Sequence, residues 1–70
     1  MAFILEFGNE NRTRVLGTFD TEKDARAAMV KDLSDEGIKP YYYRSWKKND
    51  TTECIDYGSY TTFYYIRKEE

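Results

Sequence analysis

Histidine is absent from this sequence and cysteine occurs once. The first absence removes the commonest general base and the commonest metal ligand. The second excludes an intramolecular disulfide and a thiolate zinc cluster. A single proline and four glycines in 70 residues leave no composition for a linker or a low-complexity tract. No apolar run approaches the ~20 residues of a membrane-spanning helix. The N-terminus lacks the basic region and cleavage site of a signal peptide, so no membrane association and a cytoplasmic setting are expected.

Recognisable chemistry is equally scarce. There is no P-loop, dinucleotide glycine fingerprint or nucleophile elbow. Asp20, Glu22 and Asp24 imitate the start of a calcium loop, but Ala25 stands where its glycine belongs and Lys31 where its terminal Glu belongs. Cys54 has no His to activate it and reads as a small core residue. Glu53 and Asp56, the nearest thing to paired carboxylates, fall on opposite sides of a strand. No catalytic residue, metal ligand or cofactor is therefore assigned, and the chain is expected not to be an enzyme.

What is abundant is aromatic and charged. Seven Tyr, four Phe and one Trp sit in a chain that is 40% hydrophobic and 34% charged, a globular composition. The length makes one domain, 1–70. A domain this short buries only about 60% of its unfolded surface, so a stability of about 4–10 kcal/mol is expected. The net charge of −2 offers no basic field for long nucleic acids. Acids are concentrated at Asp20, Glu22, Asp24, Asp32, Asp35 and Glu36 against Lys23, Arg26 and Lys31; a solvated helix face explains that more simply than an acidic partner surface.

The stretch from Phe19 to Pro40 carries a helix with both ends written in. Thr21 is its cap, with Asp24 in the place of the capping-box acid, and Glu22 and Asp24 suit the positive end of the dipole. Ala25, Met29 and Leu33 share one face, widened by Ala28 and Val30. Gly37 supplies a left-handed stop, Ile38 the apolar contact back to Leu33, and Pro40 bars continuation.

Strand patterns flank this helix. Ala2–Phe7 places Phe3, Leu5 and Phe7 on one side and Ile4 on the other, the pattern of an interior strand. After the turn residues Gly8-Asn9-Glu10-Asn11, Arg12–Phe19 returns with Val15 and Phe19 opposed by Leu16. Tyr41–Lys48, Thr51–Tyr57 and Tyr60–Lys68 are rich in aromatic and β-branched residues. The order ββαβββ predicts an α+β fold: a two-layer sandwich, one helix packed on a mostly antiparallel five-stranded sheet.

With two-residue turns at Asn49-Asp50 and Gly58-Ser59, Trp46 falls opposite Glu53 and Glu53 opposite Tyr64. One side then carries Tyr42, Arg44, Trp46, Tyr57, Tyr60 and Tyr64, the other Tyr43, Ser45, Lys47, Cys54, Phe63 and Tyr65. Small Ser45 and Cys54 favour a close helix, so the second side is expected beneath it and the first faces outward. The competing reading puts the first side in the core. As an outward face, Tyr42, Arg44, Trp46, Tyr57, Tyr60 and Tyr64 form a binding platform of hot-spot residue types. The expected function is non-enzymatic protein binding with self-association into a homo-oligomer. By analogy of size and composition, it resembles the small accessory or inhibitor proteins of phages and mobile elements. The alternative is a nucleotide signal molecule or single-stranded nucleic acid stacked on Tyr42, Tyr57 and Tyr64, with Arg44 and Arg67 or Lys68 near phosphate.

Overall fold

Helix α1 runs from Glu22 to Asp35, and both of its ends follow from local hydrogen-bond chemistry. Thr21 stays extended and its hydroxyl accepts from the Asp24 N–H at 3.1 Å, satisfying a donor the first turn would otherwise leave open. At the other end Gly37 adopts φ 76°. Its N–H reaches the Ser34 carbonyl at 3.0 Å and the Ile38 N–H the Leu33 carbonyl at 2.9 Å, the paired bonds of a Schellman stop.

The computed structural model describes residues 2–9, 11–40, 43–59 and 61–69. Around α1 the chain forms β1 (Ala2–Gly8), β2 (Thr13–Phe19), β3 (Arg44–Lys47), β4 (Thr52–Asp56) and β5 (Phe63–Glu69). All pair antiparallel in one five-stranded sheet of order β2-β1-β5-β4-β3. The fold is the α+β two-layer arrangement that the ββαβββ pattern predicts, and β1 lies inside the sheet as its two apolar sides require.

The core lies between α1 and one sheet face. Ala25, Met29 and Leu33 descend onto Leu5, Ile55, Tyr57, Tyr64 and Ile66, with Phe3, Phe7, Leu16, Phe19 and Ala28 packed around them. Tyr64 is central, 1% exposed, with its ring 4.9 Å from Phe7 and 5.3 Å from Tyr57. Its hydroxyl donates to Asp32 Oδ2, so a polar atom inside the core finds a partner on the helix. At the helix N-terminal half, Arg26 pairs with Glu53 of β4.

Several expectations are corrected here. The helix covers the Ile55, Tyr57, Tyr64 and Ile66 side, not the side of Cys54, Phe63 and Tyr65. The cause is the β1–β5 pairing, which sets Leu5 against Ile66 and Phe7 against Tyr64 and makes that face the greasier one. Trp46 pairs with Cys54, not Glu53, and Glu53 with Ile66, not Tyr64. Both turns are longer than two residues: Lys48 already bonds to the Thr52 carbonyl, which slips β3 by one residue and turns Trp46 and Arg44 to the opposite face. In β2, an irregularity opposite Leu5 and Glu6 sends Leu16 to the core beside Phe19 and leaves Val15 outside. On α1, Val30 points away from the core and is exposed.

Candidate binding surface

The face of the sheet away from α1 is built on one cross-strand row. Val15 pairs with Glu6, Glu6 with Tyr65, Tyr65 with Cys54 and Cys54 with Trp46. Because side chains alternate along each strand, Phe63 and Arg67 join that face from β5, Ile4 from β1, and Arg44 and Asp56 from the β3–β4 pair.

Trp46 is the exposed end of this row. The residue is 45% exposed and its ring meets Phe63 edge-on, at 6.0 Å and 74°, so it projects from the sheet while one edge is held. Arg44, on the same strand, bonds through its guanidinium to Asp56 Oδ2 at 3.2 Å. Asp56 is itself buried and accepts the Gly58 N–H with its other oxygen. The carboxylate thereby anchors an exposed cation beside an exposed indole.

Tyr65 occupies the middle and is only 3% exposed although no helix covers it. Phe63 stands beside it at 6.4 Å, and the Lys48 ammonium sits over its ring, Nζ 5.1 Å from the centroid, where the negative face of the ring attracts a cation. Glu6 is paired with Arg67 at 3.7 Å and accepts from the Thr13 hydroxyl at 3.5 Å.

The six residues of the expected platform are thus divided. Arg44 and Trp46 are together on the open face. Tyr57 and Tyr64 are under the helix, where neither ring can meet an incoming base or partner; Tyr57 instead bonds through its hydroxyl to Thr62 Oγ1 at 2.7 Å. Tyr42 and Tyr60 lie outside the described residues. Phe63 and Tyr65, expected beneath the helix, belong to this surface instead; Glu6 escaped the sequence reading because it joins only through the long-range pairing of β1 with β5, and Lys48 because its place over Tyr65 depends on the β3–β4 turn.

A second apolar feature adjoins β3. Val30, Leu33, Gly37, Ile38, Pro40 and Tyr43 line a groove of about 320 Å³ at the C-terminal end of α1. Val30, Ile38 and Tyr43 all expose large apolar side chains there, and the acids Asp35 and Glu36 close the same helix.

Among the described residues no group of three His, Cys, Asp or Glu side chains is placed to hold a metal. Among the described residues no helix is long and apolar enough to cross a membrane. No protein-family model matches the chain, and comparison with curated proteins and with solved structures gives no match.

Proposed function

We propose that this chain is a non-enzymatic protein-binding module that acts through the β3 side of its open face and self-associates there. The observation that carries the reading is Trp46: a large ring, half exposed, already oriented by Phe63 and flanked by a cation anchored on Asp56. Trp and Arg dominate binding hot spots, and a ring whose orientation is set in advance loses little entropy on docking.

A second copy is the first partner to test. Trp46 projects three residues from Tyr43, which lines the apolar groove, so the two features lie roughly 10 Å apart along the chain. The strand bearing Trp46 is basic through Arg44 and Lys47, while the helix end beside the groove is acidic through Asp35 and Glu36. A two-fold contact would seat each Trp46 in the other copy's groove and bring opposite charges together. Pairing along the sheet edges is less suited. β3 is short and bears like charges, and β2 is interrupted by its bulge, both of them ways that edges resist pairing. An accessory or inhibitor protein is the role such a module would fill.

Sedimentation and light scattering over a concentration series test the reading. A reversible dimer is expected by the high micromolar range, abolished by Trp46→Ala and by Ile38→Asp with circular dichroism unchanged. A strict monomer at that concentration, together with a Trp46→Ala variant that retains every protein captured by the unaltered chain, would overturn it.

A further inference from the structure

Two loops at opposite ends of the sheet are closed by the same device. In the β1–β2 loop, Asn9 Oδ1 accepts the N–H groups of Asn11 and Arg12 at 2.8 and 2.9 Å. In the β3–β4 loop, Asn49 Oδ1 accepts those of Thr51 and Thr52, both at 2.9 Å. Each asparagine spends its acceptor on its own backbone, so what remains of the side chain is a pair of N–H donors.

Both asparagines line one cleft of about 170 Å³ on the open face, together with Arg12, Lys48, Glu6 and Tyr65. Among the described residues Arg12 and Lys48 form no ion pair. Glu6, the carboxylate of the lining, is already matched by Arg67 and Thr13. The cleft, which Asn11, Thr13 and Thr52 also line, therefore carries two cations against one matched carboxylate, with the side-chain acceptors of Asn9 and Asn49 already engaged. A ligand that only accepts hydrogen bonds satisfies that surplus. The volume is well below the ~300 Å³ at which drug-sized pockets begin, which suits a compact oxyanion. Tyr65 is shielded by Lys48 and offers no ring for a base to stack on.

We infer that this cleft is a binding site for a tetrahedral oxyanion, inorganic phosphate or the phosphate of a monoester, held by Arg12 and Lys48 with the side-chain N–H groups of Asn9 and Asn49. The site is separate from the Trp46 contact and does not depend on it.

The test is a titration of inorganic phosphate into the isotope-labelled full chain at low ionic strength, followed by amide resonances. Saturating shifts are expected at the Asn9 and Asn49 side-chain N–H groups and at the backbone of Arg12 and Thr52, and not with sodium chloride of equal ionic strength. The double variant Arg12→Gln, Lys48→Gln should weaken binding at least tenfold while keeping the dispersed spectrum. Asn49→Asp, which retains the turn acceptor but replaces the donor with a carboxylate, should weaken it as strongly. A parallel titration with a nucleoside monophosphate separates the sources: tighter binding assigns the ester, equal binding the free anion. Shifts reproduced by chloride, or unchanged affinity in the double variant, would overturn the site.

Discussion

The Tyr64 hydroxyl donates to Asp32 Oδ2 at 2.6 Å, tying the centre of β5 to the helix across the core. Burial pushes this phenol above its ordinary 10.0, and the hydrogen bond to Asp32 and that residue's charge push it further in the same direction. Tyr64→Phe removes the bond while preserving the ring and should cost about 1–2 kcal/mol, read as a lower urea midpoint at constant slope. The sign of the pH dependence follows from the raised value. The unfolded tyrosine ionises near pH 10 or about there, whereas the folded one holds its proton beyond it. The stabilisation from Tyr64 is whole below that pH and is lost as pH rises above it, so the gap between the unaltered chain and Tyr64→Phe should narrow in alkaline solution.

Gly8 and Gly37 should respond differently to the same substitution. A Cβ on Gly8 would sit 2.1 Å from the Arg12 carbonyl oxygen and 2.8 Å from Thr13 Cα, so the hairpin must shift its backbone. Gly8→Ala is expected to cost more than about 2 kcal/mol. A Cβ on Gly37 meets nothing within 4 Å, leaving only the strain of its left-handed backbone, about 1 kcal/mol. Thermal unfolding of the two variants side by side checks the contrast.

Asn49 controls the turn that sets the β3 register. Asn49→Ala leaves the Thr51 and Thr52 N–H groups to water and should cost about 1 kcal/mol, with faster amide exchange at Thr52. Asn49→Asp keeps the acceptor and should restore both the stability and the protection. The equivalent change at Asn9, on a separate loop, should add to it without coupling.

Trp46 should matter far more to association than to folding. Its exposed ring loses little more than the edge-on contact with Phe63, so Trp46→Ala should lower stability by about 1 kcal/mol or less. At a docked hot spot the same truncation should cost about 2 kcal/mol or more of binding free energy. Urea unfolding and sedimentation on the same samples separate the two effects.

The elements of this fold were legible in the chain because their signals are local. Thr21, Gly37 and Pro40 bound the helix whatever lies around them, and the alternation Phe3-Leu5-Phe7 identifies an interior strand. The buried helix face of Ala25, Met29 and Leu33 was legible too, since 3.6-residue periodicity needs no partner. On β4 and β5 even the grouping of Glu53, Ile55, Tyr57, Tyr64 and Ile66 on one side is readable, because alternation survives a slip of two residues.

Which side that group faces was not readable from three strands alone, since both sides are apolar and Ser45 and Cys54 make the wrong one inviting. Tertiary structure decided it by pairing β1 with β5, residues from opposite ends of the chain, so that Phe3, Leu5 and Phe7 joined Tyr64 and Ile66 under the helix. The position of Trp46 was decided by one residue of turn length, where Asn49 draws Thr51 and Thr52 into a longer loop. Side-chain alternation has a period of two, so that single residue carries the indole from one face to the other.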